Sequence, residues 1–283
     1  MHLIVPDRDR TQISEKWLAK GLCALFVPYQ GRMIDVYDWI APFEQGLVPK
    51  ARLGRYPGID YSGGVYQRWR GANRRYALTS PLGATIVALV TVDAFTNYGG
   101  IIACQQTTTT NGWEFRLGGN ASTDSLILCH RSHASGFRQA AAVINQIDNS
   151  NPSFLAVNWR DNLIENPPYC LTPNTTTVTQ WANLAGSGTG AITVSSSSEL
   201  WIGRRYDGAT YLDGGIHLIA LFDRSLPFGD MYDLREDPFQ VIEARAERRY
   251  FMPAAGNVFN ILRPGIIRPA RNQSNRIISG ALQ

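Results

Sequence analysis

Carboxylates and histidines are the side chains of this sequence that could do chemistry. Their spacing does not match a catalytic arrangement. A glycosidase on a β-fold needs two carboxylates at a fixed separation. The strings Glu-x-Asp-x-x-Glu and Glu-x-Asp-x-Glu, which place them on one strand, do not occur. Asp35 and Asp38 are three residues apart, which on a strand puts them on opposite faces, and we interpret them as turn or surface residues. The sequence therefore predicts no catalytic residue and a protein that is not an enzyme.

The histidines and cysteines do not have the spacing of metal ligands. His130 and His133 lie without a third Cys, Asp or Glu nearby in sequence, so we expect a solvated loop pair and not a zinc site. His217 lies on an apolar strand face, where a hydrogen-bonded core residue is expected. The four cysteines (Cys23, Cys104, Cys129, Cys170) include no Cys-x-x-Cys pair, and we predict reduced, buried thiols. No metal or cofactor is predicted.

A basic and aromatic stretch between residues 52 and 76 is the first candidate binding surface. Tyr66, Arg68, Trp69 and Arg70 are its central residues, and such residue types are enriched at interfaces. The surface could contact a glycan, a partner protein or a nucleic acid backbone. Alternating strand and loop residues without any binding role give the same pattern. The stretch comprises Arg52, Arg55, Tyr56, Tyr66, Arg68, Trp69, Arg70, Arg74, Arg75 and Tyr76.

The C-terminal residues 252–283 form the second candidate. The 283-residue chain has a formal net charge of +4. This segment contains four Arg and no Lys, Asp or Glu, so it carries the whole +4 and residues 1–251 sum to zero. Its prolines favour an extended arm, and its apolar residues need a surface to cover. The arm either folds back on its own sandwich or docks on a neighbouring subunit; nucleic acid is the weakest alternative. The predicted partner-binding residues are Arg263, Arg268, Arg271, Arg276, Phe259, Ile266 and Ile267.

Several segments alternate between apolar and polar residues with period two, which predicts strands with one buried face. Trp113, Phe115 and Leu117 alternate with Glu114 and Arg116. In residues 85–92 both alternating sets are apolar, so we expect an inner strand with both faces covered. Further strands are predicted at Ile101–Gln105, Ser125–His130, Phe154–Trp159, Thr176–Trp181, Leu200–Arg204 and Gly215–Phe222.

Turns rich in Gly, Asn and Pro separate these segments, and helical patterns are few. The helical signals lie late in the chain, at Phe228–Glu236 and from Pro238 through to Tyr250. No apolar stretch reaches the roughly 20 residues of a membrane helix, so no membrane partner is predicted. The predicted fold is all-β: an antiparallel two-sheet jelly-roll sandwich with a short C-terminal helix and an extended C-terminal arm.

Two stretches resemble a known family. Residues 18–26, Leu-Ala-Lys-Gly-Leu-Cys-Ala-Leu-Phe, resemble the opening strand of concanavalin A-like, laminin G-like jelly rolls of bacteriophage virion proteins. Residues 211–226 are similar to the closing strand of that family, with a Gly-rich entry and an Arg-x-Leu turn. Residues 231–234 and 237–242 look like the short helix and the acidic-Pro-aromatic ending that commonly follow this strand in the family. The calcium-associated aspartates of the family have no counterpart at residues 60–65, so no metal site is carried over.

This resemblance implies an N-terminal arm (1–17), a laminin G-like sandwich (18–251) and the Arg-rich arm (252–283). It also implies a virion structural protein, acting as a tail fibre, decoration or adhesion component. Other virion proteins, further copies of the chain in a homo-oligomer and a host surface glycan are the expected partners. A carbohydrate-binding module that recognises a surface polysaccharide is the alternative, and a polysaccharide-degrading enzyme is the weaker one.

Overall fold

Nineteen strands and two short α-helices make up the part of the chain that the structure describes. The computed structural model describes residues 11–46, 50–52, 56–70, 74–94, 99–105, 111–118, 126–133, 136–143, 151–159, 169–171, 179–180, 182–185, 192–195, 197–205 and 210–244. The strands are β1 (Thr11–Ile13), β2 (Leu22–Tyr29), β3 (Arg32–Asp35), β4 (Glu44–Gln45), β5 (Lys50–Arg52), β6 (Gly58–Asp60), β7 (Gln67–Trp69), β8 (Ala84–Val92), β9 (Gly100–Gln105), β10 (Gly112–Gly118), β11 (Leu126–His133), β12 (Gly136–Val143), β13 (Ser153–Trp159), β14 (Tyr169–Leu171), β15 (Thr179–Gln180), β16 (Ala182–Ala185), β17 (Glu199–Ile202), β18 (Gly214–Phe222) and β19 (Ile242–Ala244). The α-helices are α1 (Glu15–Ala19) and α2 (Phe228–Glu236), and 3₁₀ turns lie at Arg74–Ala77 and Pro238–Val241.

Two large antiparallel sheets organise the described residues. The eight-stranded sheet has the order β16-β12-β11-β10-β9-β17-β7-β4. The nine-stranded sheet has the order β15-β14-β13-β8-β18-β2-β3, with β6 paired to β18 and β5 paired to β6. A separate two-stranded sheet joins β1 to β19. This arrangement confirms the predicted antiparallel two-sheet sandwich.

The main hydrophobic core contains residues from both sheets. Trp113 and Phe115 of β10 lie in it, together with Ile86 of β8 and Ile219 of β18. The alternate residues of β10, Glu114 and Arg116, point to the other side of the eight-stranded sheet, as the period of two requires. The predicted strand at 113–117 is therefore confirmed, and its apolar face is the core face.

A second core covers the opposite face of the nine-stranded sheet. Trp17 of α1 and Met231 of α2 pack there with Leu218 of β18 and Val87 of β8. Every residue of β8 and β18 is consequently buried, which confirms the expectation of an inner strand with both faces covered. The α2 helix also has the predicted bounds.

The two family-like stretches meet in the nine-stranded sheet. Strand β18 pairs with β2, with Ile219 opposite Phe26 and Ala220 opposite Leu25. The first stretch is only partly a strand, because Leu18 and Ala19 belong to α1 and β2 begins at Leu22.

The predicted second helix from Pro238 is wrong over residues 238–244, and its remainder to Tyr250 lies outside the described residues. Pro238–Val241 makes a single 3₁₀ turn, capped by the Asp237 side chain, which accepts a hydrogen bond from the Phe239 amide at 3.1 Å. Ile242 then adopts extended backbone and begins β19. Two adjacent β-branched residues, Val241 and Ile242, favour a strand over a helix, and pairing with β1 satisfies that preference.

The domain boundaries stay predictions. By its internal contacts the chain divides into Met1–Glu243 and Ala244–Gln283. The predicted N-terminal arm (1–17) includes β1 and part of α1. The C-terminal arm (252–283) lies outside the described residues, with its predicted binding residues Arg263, Arg268, Arg271, Arg276, Phe259, Ile266 and Ile267.

Asp35 is a core residue, so its interpretation as a turn or surface residue is wrong. Its carboxylate is fully buried at the end of β3. Oδ1 accepts hydrogen bonds from the amides of Leu25 (3.1 Å) and Tyr37 (3.0 Å). Oδ2 accepts from the Tyr76 hydroxyl (2.8 Å) and from Nη2 of Arg75 (3.3 Å). The carboxylate thereby ties two strands and the 3₁₀ turn together.

Asp38 lies in the following turn and has the exposure expected of a surface residue. Its Oδ2 pairs with Nη1 of the same Arg75 at 2.6 Å, and its side chain is about half exposed. The buried Asp35 and the exposed Asp38 therefore both pair with Arg75.

Three of the four cysteines and His217 behave as core residues, and the Cys129 side chain lies outside the described residues. Cys23, Cys104 and Cys170 are buried and reduced. Burial raises the pKa of the Cys104 thiol to about 12 and also raises the pKa of Cys23. Nδ1 of His217 lies 3.0 Å from the Tyr56 carbonyl, and its Nε2 lies 3.3 Å from the Thr91 hydroxyl. The prediction of a hydrogen-bonded core histidine is confirmed.

Replacing Asp35 by Ala tests its place in the core. Asp35→Ala leaves buried donors without an acceptor, and we expect the free energy of unfolding to fall by about 3–5 kcal/mol. Asp38→Ala removes the exposed partner of the same Arg75 and should cost about 0–1 kcal/mol. Urea unfolding of the two variants measures the difference. Equal losses would contradict the tethering role of Asp35.

The pH dependence of stability gives a separate test. Burial, the largest effect, raises the pKa of Asp35 despite its hydrogen bonds. Between the unfolded pKa, about 3.9, and the raised folded pKa, the folded state holds a proton that the unfolded state has lost. We therefore expect the wild type to lose stability relative to Asp35→Asn as pH rises through this range. Urea unfolding from pH 3.5 to 7.5 measures it, and a difference independent of pH would refute it.

Candidate functional site

The outer face of the eight-stranded sheet carries the candidate site. Strand register sets Arg68 of β7 opposite Trp201 of β17, and Trp201 opposite Ala103 of β9. Ala103 in turn faces Glu114 of β10. These residues alternate with core residues along their strands, so they share the face that points away from the second sheet. A row of polar and aromatic residues therefore crosses four strands.

Aromatic rings and guanidinium groups stack on one another at the β7–β17 end of this row. We call this the arginine-aromatic cluster. The Arg68 guanidinium lies 4.6 Å from the ring centre of Phe43 and 4.8 Å from that of Trp201. Its Nε pairs with the Glu199 carboxylate at 3.0 Å. The members of the cluster are Phe43, Tyr66, Arg68, Arg70, Glu199, Trp201, Arg204 and Tyr211.

Arg204 lies over three aromatic rings. Its guanidinium is 4.6 Å from the ring centre of Tyr66, 4.9 Å from Trp201 and 5.5 Å from Tyr211. The Tyr66 ring is also 5.6 Å from Trp201 and 6.5 Å from Tyr211. Cation–π contacts of this kind contribute about 0.5–2 kcal/mol each, more when water is excluded. The stack holds the arginine in place against the sheet.

Backbone geometry positions Arg204. The residue follows Gly203, which has φ +80°, a conformation that favours glycine. A Cβ at Gly203 would also meet the ring of Tyr61. The Leu212 amide donates to the Gly203 carbonyl, and the Arg205 amide donates to the Thr210 carbonyl, each at 2.9 Å. The chain thus leaves β17 through a tight bend that turns Arg204 towards the rings.

A buried ion-pair network continues the row beyond the cluster. Glu114 Oε1 lies 3.0 Å from Nε of Arg205, and its Oε2 lies 3.5 Å from Nε of Arg116. Glu114 and Arg116 are both almost fully buried. His130, predicted as a solvated loop residue, lies on β11 with its Cα opposite Glu114. The loop interpretation of His130 and His133 is therefore wrong, since both belong to this strand.

Gln105 is a buried amide next to the cluster. Strand register sets it opposite Glu199. It is 1% exposed, and neither its side-chain nitrogen nor its oxygen has a hydrogen-bond partner among the described residues. Gln67, equally buried, differs: its Oε1 accepts hydrogen bonds from the Met33 amide (3.0 Å) and the Tyr61 hydroxyl (2.6 Å).

The predicted basic and aromatic stretch is divided among several places. Arg68 and Tyr66 lie in the cluster, and the exposed Arg70 joins it 5.1 Å from the ring centre of Phe43. Trp69 does not: it is 1% exposed, its Nε1 donates to the Ile40 carbonyl at 3.3 Å, and it packs edge-on against Phe26. Its assignment to the surface is wrong because strand alternation turns it to the core side of Arg68.

Other members of the stretch also lie elsewhere. Arg75 and Tyr76 bind Asp35, and Tyr56 stacks on Phe239 with ring centres 5.4 Å apart. The side chains of Arg52 and Arg74, and all of Arg55, lie outside the described residues.

Sequence reasoning missed Phe43, Trp201, Arg204 and Tyr211. The outward position of Trp201 could have been predicted, because it lies between Leu200 and Ile202 in a strand and must face the opposite way from them. Phe43 and Tyr211 belong to distant segments, and no sequence pattern connects them to Arg68.

Neither a metal centre nor a membrane helix is found in the described ranges. Within them, no three His, Cys, Asp or Glu side chains are grouped so that they could hold a metal ion. The described helices are too short and too polar to cross a membrane.

Comparison with known proteins gives a fold and no family. No protein-family model matches this sequence, and no curated protein matches it. Among solved structures, Domain 4 of AbnA, a GH43 extracellular arabinanase from Geobacillus stearothermophilus in complex with arabinotriose, is similar with a TM-score of 0.53 and 10% identity, covering 76% of this chain and 98% of that one.

Two neurotoxin domains share the same architecture. The binding domain of botulinum neurotoxin serotype G has a TM-score of 0.54 and 12% identity, covering 76% of this chain and 50% of that one. The binding domain of botulinum neurotoxin DC in complex with SialylT has a TM-score of 0.50 and 11% identity, covering 76% and 51%. This chain thus spans about half the length of the neurotoxin chains. At these identities the likeness shows the β-sandwich fold alone.

Gln105 and Gln67 form a matched pair for a stability test. Gln105→Met removes a buried amide without partners, so we expect the free energy of unfolding to rise by about 1–2 kcal/mol. Gln67→Met removes two buried hydrogen bonds and should lower it by a similar amount. Urea unfolding of both variants measures the contrast. A loss of stability in Gln105→Met equal to that in Gln67→Met would show that Gln105 has a structural partner.

Proposed function

We propose that this chain is a carbohydrate-binding module that recognises a surface polysaccharide through the arginine-aromatic cluster. The cluster itself carries the proposal: the exposed Phe43 and the half-buried Tyr66 lie beside Arg68 and Arg204 on the outer face of a sheet. Aromatic rings offer apolar faces for sugar rings, and a few fixed polar groups orient a ligand and give specificity. The side chains of this site come from a rigid sheet and its adjoining loops, which limits the entropy lost on binding.

The similar solved structures support a binding role. The arabinanase domain was solved with arabinotriose and the neurotoxin DC binding domain with SialylT. They support the proposal at the level of fold class, and the cluster supplies the residues.

We further propose binding without catalysis. Glu114 and Glu199, the two carboxylates described on this face, each lie in ion pairs with arginine. Their oxygens are engaged by guanidinium groups and not arranged as the separated acid and base of a glycosidase. An assay for new reducing ends after incubation with the bound polysaccharide tests this, and their release would refute it.

A bacteriophage particle remains the setting that we propose for this module. The pairing of the two family-like stretches in one sheet, with Ile219 opposite Phe26, favours the jelly-roll resemblance that motivated it. In that setting the chain is a tail fibre, decoration or adhesion component in the virion, with virion proteins, copies of itself and a host surface glycan as partners. Mass spectrometry of purified particles tests the setting, and absence of the chain would refute it.

Phe43 and Phe137 provide a matched test of the glycan site. Both are exposed phenylalanines associated with the eight-stranded sheet, 42% and 38% exposed, but Phe43 contacts Arg68 whereas Phe137 lies on β12. Phe43→Ala should weaken binding to a glycan selected on an array by about tenfold, equivalent to about 1.4 kcal/mol, and Phe137→Ala should not. Titration calorimetry measures both. Equal effects would remove the site from the cluster, and an intact protein that binds no glycan on the array would refute the function.

A further inference from the structure

We infer that the arginine-aromatic cluster selects glycans that carry carboxylates, with Arg204 and Arg70 as the groups that receive them. This inference rests on the proposed glycan-binding function. It goes beyond that function by naming the chemical class of ligand, acidic sugars such as sialic or hexuronic acids, in preference to neutral sugars.

The described side chains on this face carry more positive than negative charge. The described side chains there include five arginines and two glutamates: Arg68, Arg70, Arg116, Arg204, Arg205, Glu114 and Glu199. Glu44 lies opposite Arg68 by register, and including it still leaves five cations against three anions. An anionic ligand would lower the electrostatic energy of this face.

The glutamates neutralise some arginines and not others. Arg68 pairs with Glu199, and Arg116 and Arg205 both pair with Glu114. Within the described part of the chain, no carboxylate pairs with Arg70 or Arg204, whose contacts are aromatic rings. Among the described residues, these two guanidinium groups are therefore not neutralised by a carboxylate of the protein.

Arg204 is suited to a carboxylate for a second reason. Its Nε is buried and has no hydrogen-bond partner among the described residues. Three rings lie within 5.5 Å of its guanidinium carbon and restrict the side chain, and a planar fork of donors matches a carboxylate in bidentate geometry. Because the stack orders the side chain in advance, less rotamer entropy is lost when the ligand binds.

The residues around Arg204 favour a sugar acid over a nucleic acid. Tyr66 and Tyr211 are half-buried rings beside the guanidinium, where a sugar ring could contact them while its carboxylate meets Arg204. Nucleic acids are recognised over many phosphates and by proteins with an extended basic surface. Residues 1–251 here have no net charge.

Paired ligands that differ only in the acid group test the inference on the full chain. One pair is 3′-sialyllactose and its carboxyl-reduced form; the other is a galacturonic acid trisaccharide and its carboxyl-reduced form. At least one acidic ligand should bind at least tenfold more tightly than its reduced counterpart by titration calorimetry. The two pairs distinguish sialic from hexuronic acid as the source of the carboxylate.

Arginine variants locate the effect. Arg204→Gln should abolish most of the tenfold preference, because the acidic ligand should lose more affinity than the reduced ligand, and Arg70→Gln should reduce the preference in part. Arg204→Lys keeps the positive charge but loses the planar pair of N–H donors. Its preference for the acidic ligand should therefore fall between those of the wild type and Arg204→Gln. Arg32→Gln, on β3 of the other sheet, is the control and should change neither affinity.

The outcomes separate this inference from the proposed function. Binding of neutral and acidic glycans with equal affinity would overturn the selectivity and leave the glycan-binding function in place. Binding of a single-stranded oligonucleotide as tightly as the acidic glycan would identify a general anion surface and also overturn it. Equal losses for both ligands in Arg204→Gln, with an unchanged circular dichroism spectrum, would show that Arg204 supports the rings and does not receive the carboxylate.

Discussion

Burial of the nine-stranded sheet on both faces is the constraint on which the rest of the structure depends. One face packs in the core shared with the eight-stranded sheet, and the other is covered by α1, α2 and the 3₁₀ turn at Pro238–Val241. Strands buried on both sides cannot carry a polar row, because an unpaired polar group in a core costs several kcal/mol. The polar and aromatic row therefore lies on the outer face of the eight-stranded sheet, where β7, β9, β10 and β17 alternate core and outward residues.

The few polar groups inside this framework hold separate segments together. Asp35 joins β2 and β3 to the 3₁₀ turn at Arg74–Ala77, and Gln67 joins β7 to Met33 and Tyr61. Gln67 and Arg68 are neighbours, so the residue that fixes β7 from the core side also fixes the arginine on the outer side. Core hydrogen bonds of this kind position the binding face because side chains on a strand share one rigid backbone.

The sequence was sufficient for the class of fold and insufficient for the site. Alternation located β8, β10 and β18 because their apolar faces are long and regular. It gave no warning that Asp35 would be buried, since the donors that compensate it come from Leu25, Tyr37 and Tyr76, which only the fold brings together. Trp69 and Trp201 show the same limit: the first was assigned to the surface by its basic neighbours, yet the register places it in the core and puts Trp201 beside Arg68.

The arrangement of arginine over tryptophan links stability to recognition. Trp201 is 7% exposed, although it lies on the outer face, and the guanidinium groups of Arg68 and Arg204 are among the groups that cover it. A guanidinium is weakly hydrated and can lie flat on an indole ring while its edge keeps donors available. The same contact therefore shields an apolar ring and fixes the direction of a cation. Arg68 forms an ion pair with Glu199, whereas Arg204 has no carboxylate partner among the described residues. Both arginines lie over Trp201 but differ in their neutralisation by the protein, and this difference is the physical basis for assigning Arg204 to the ligand.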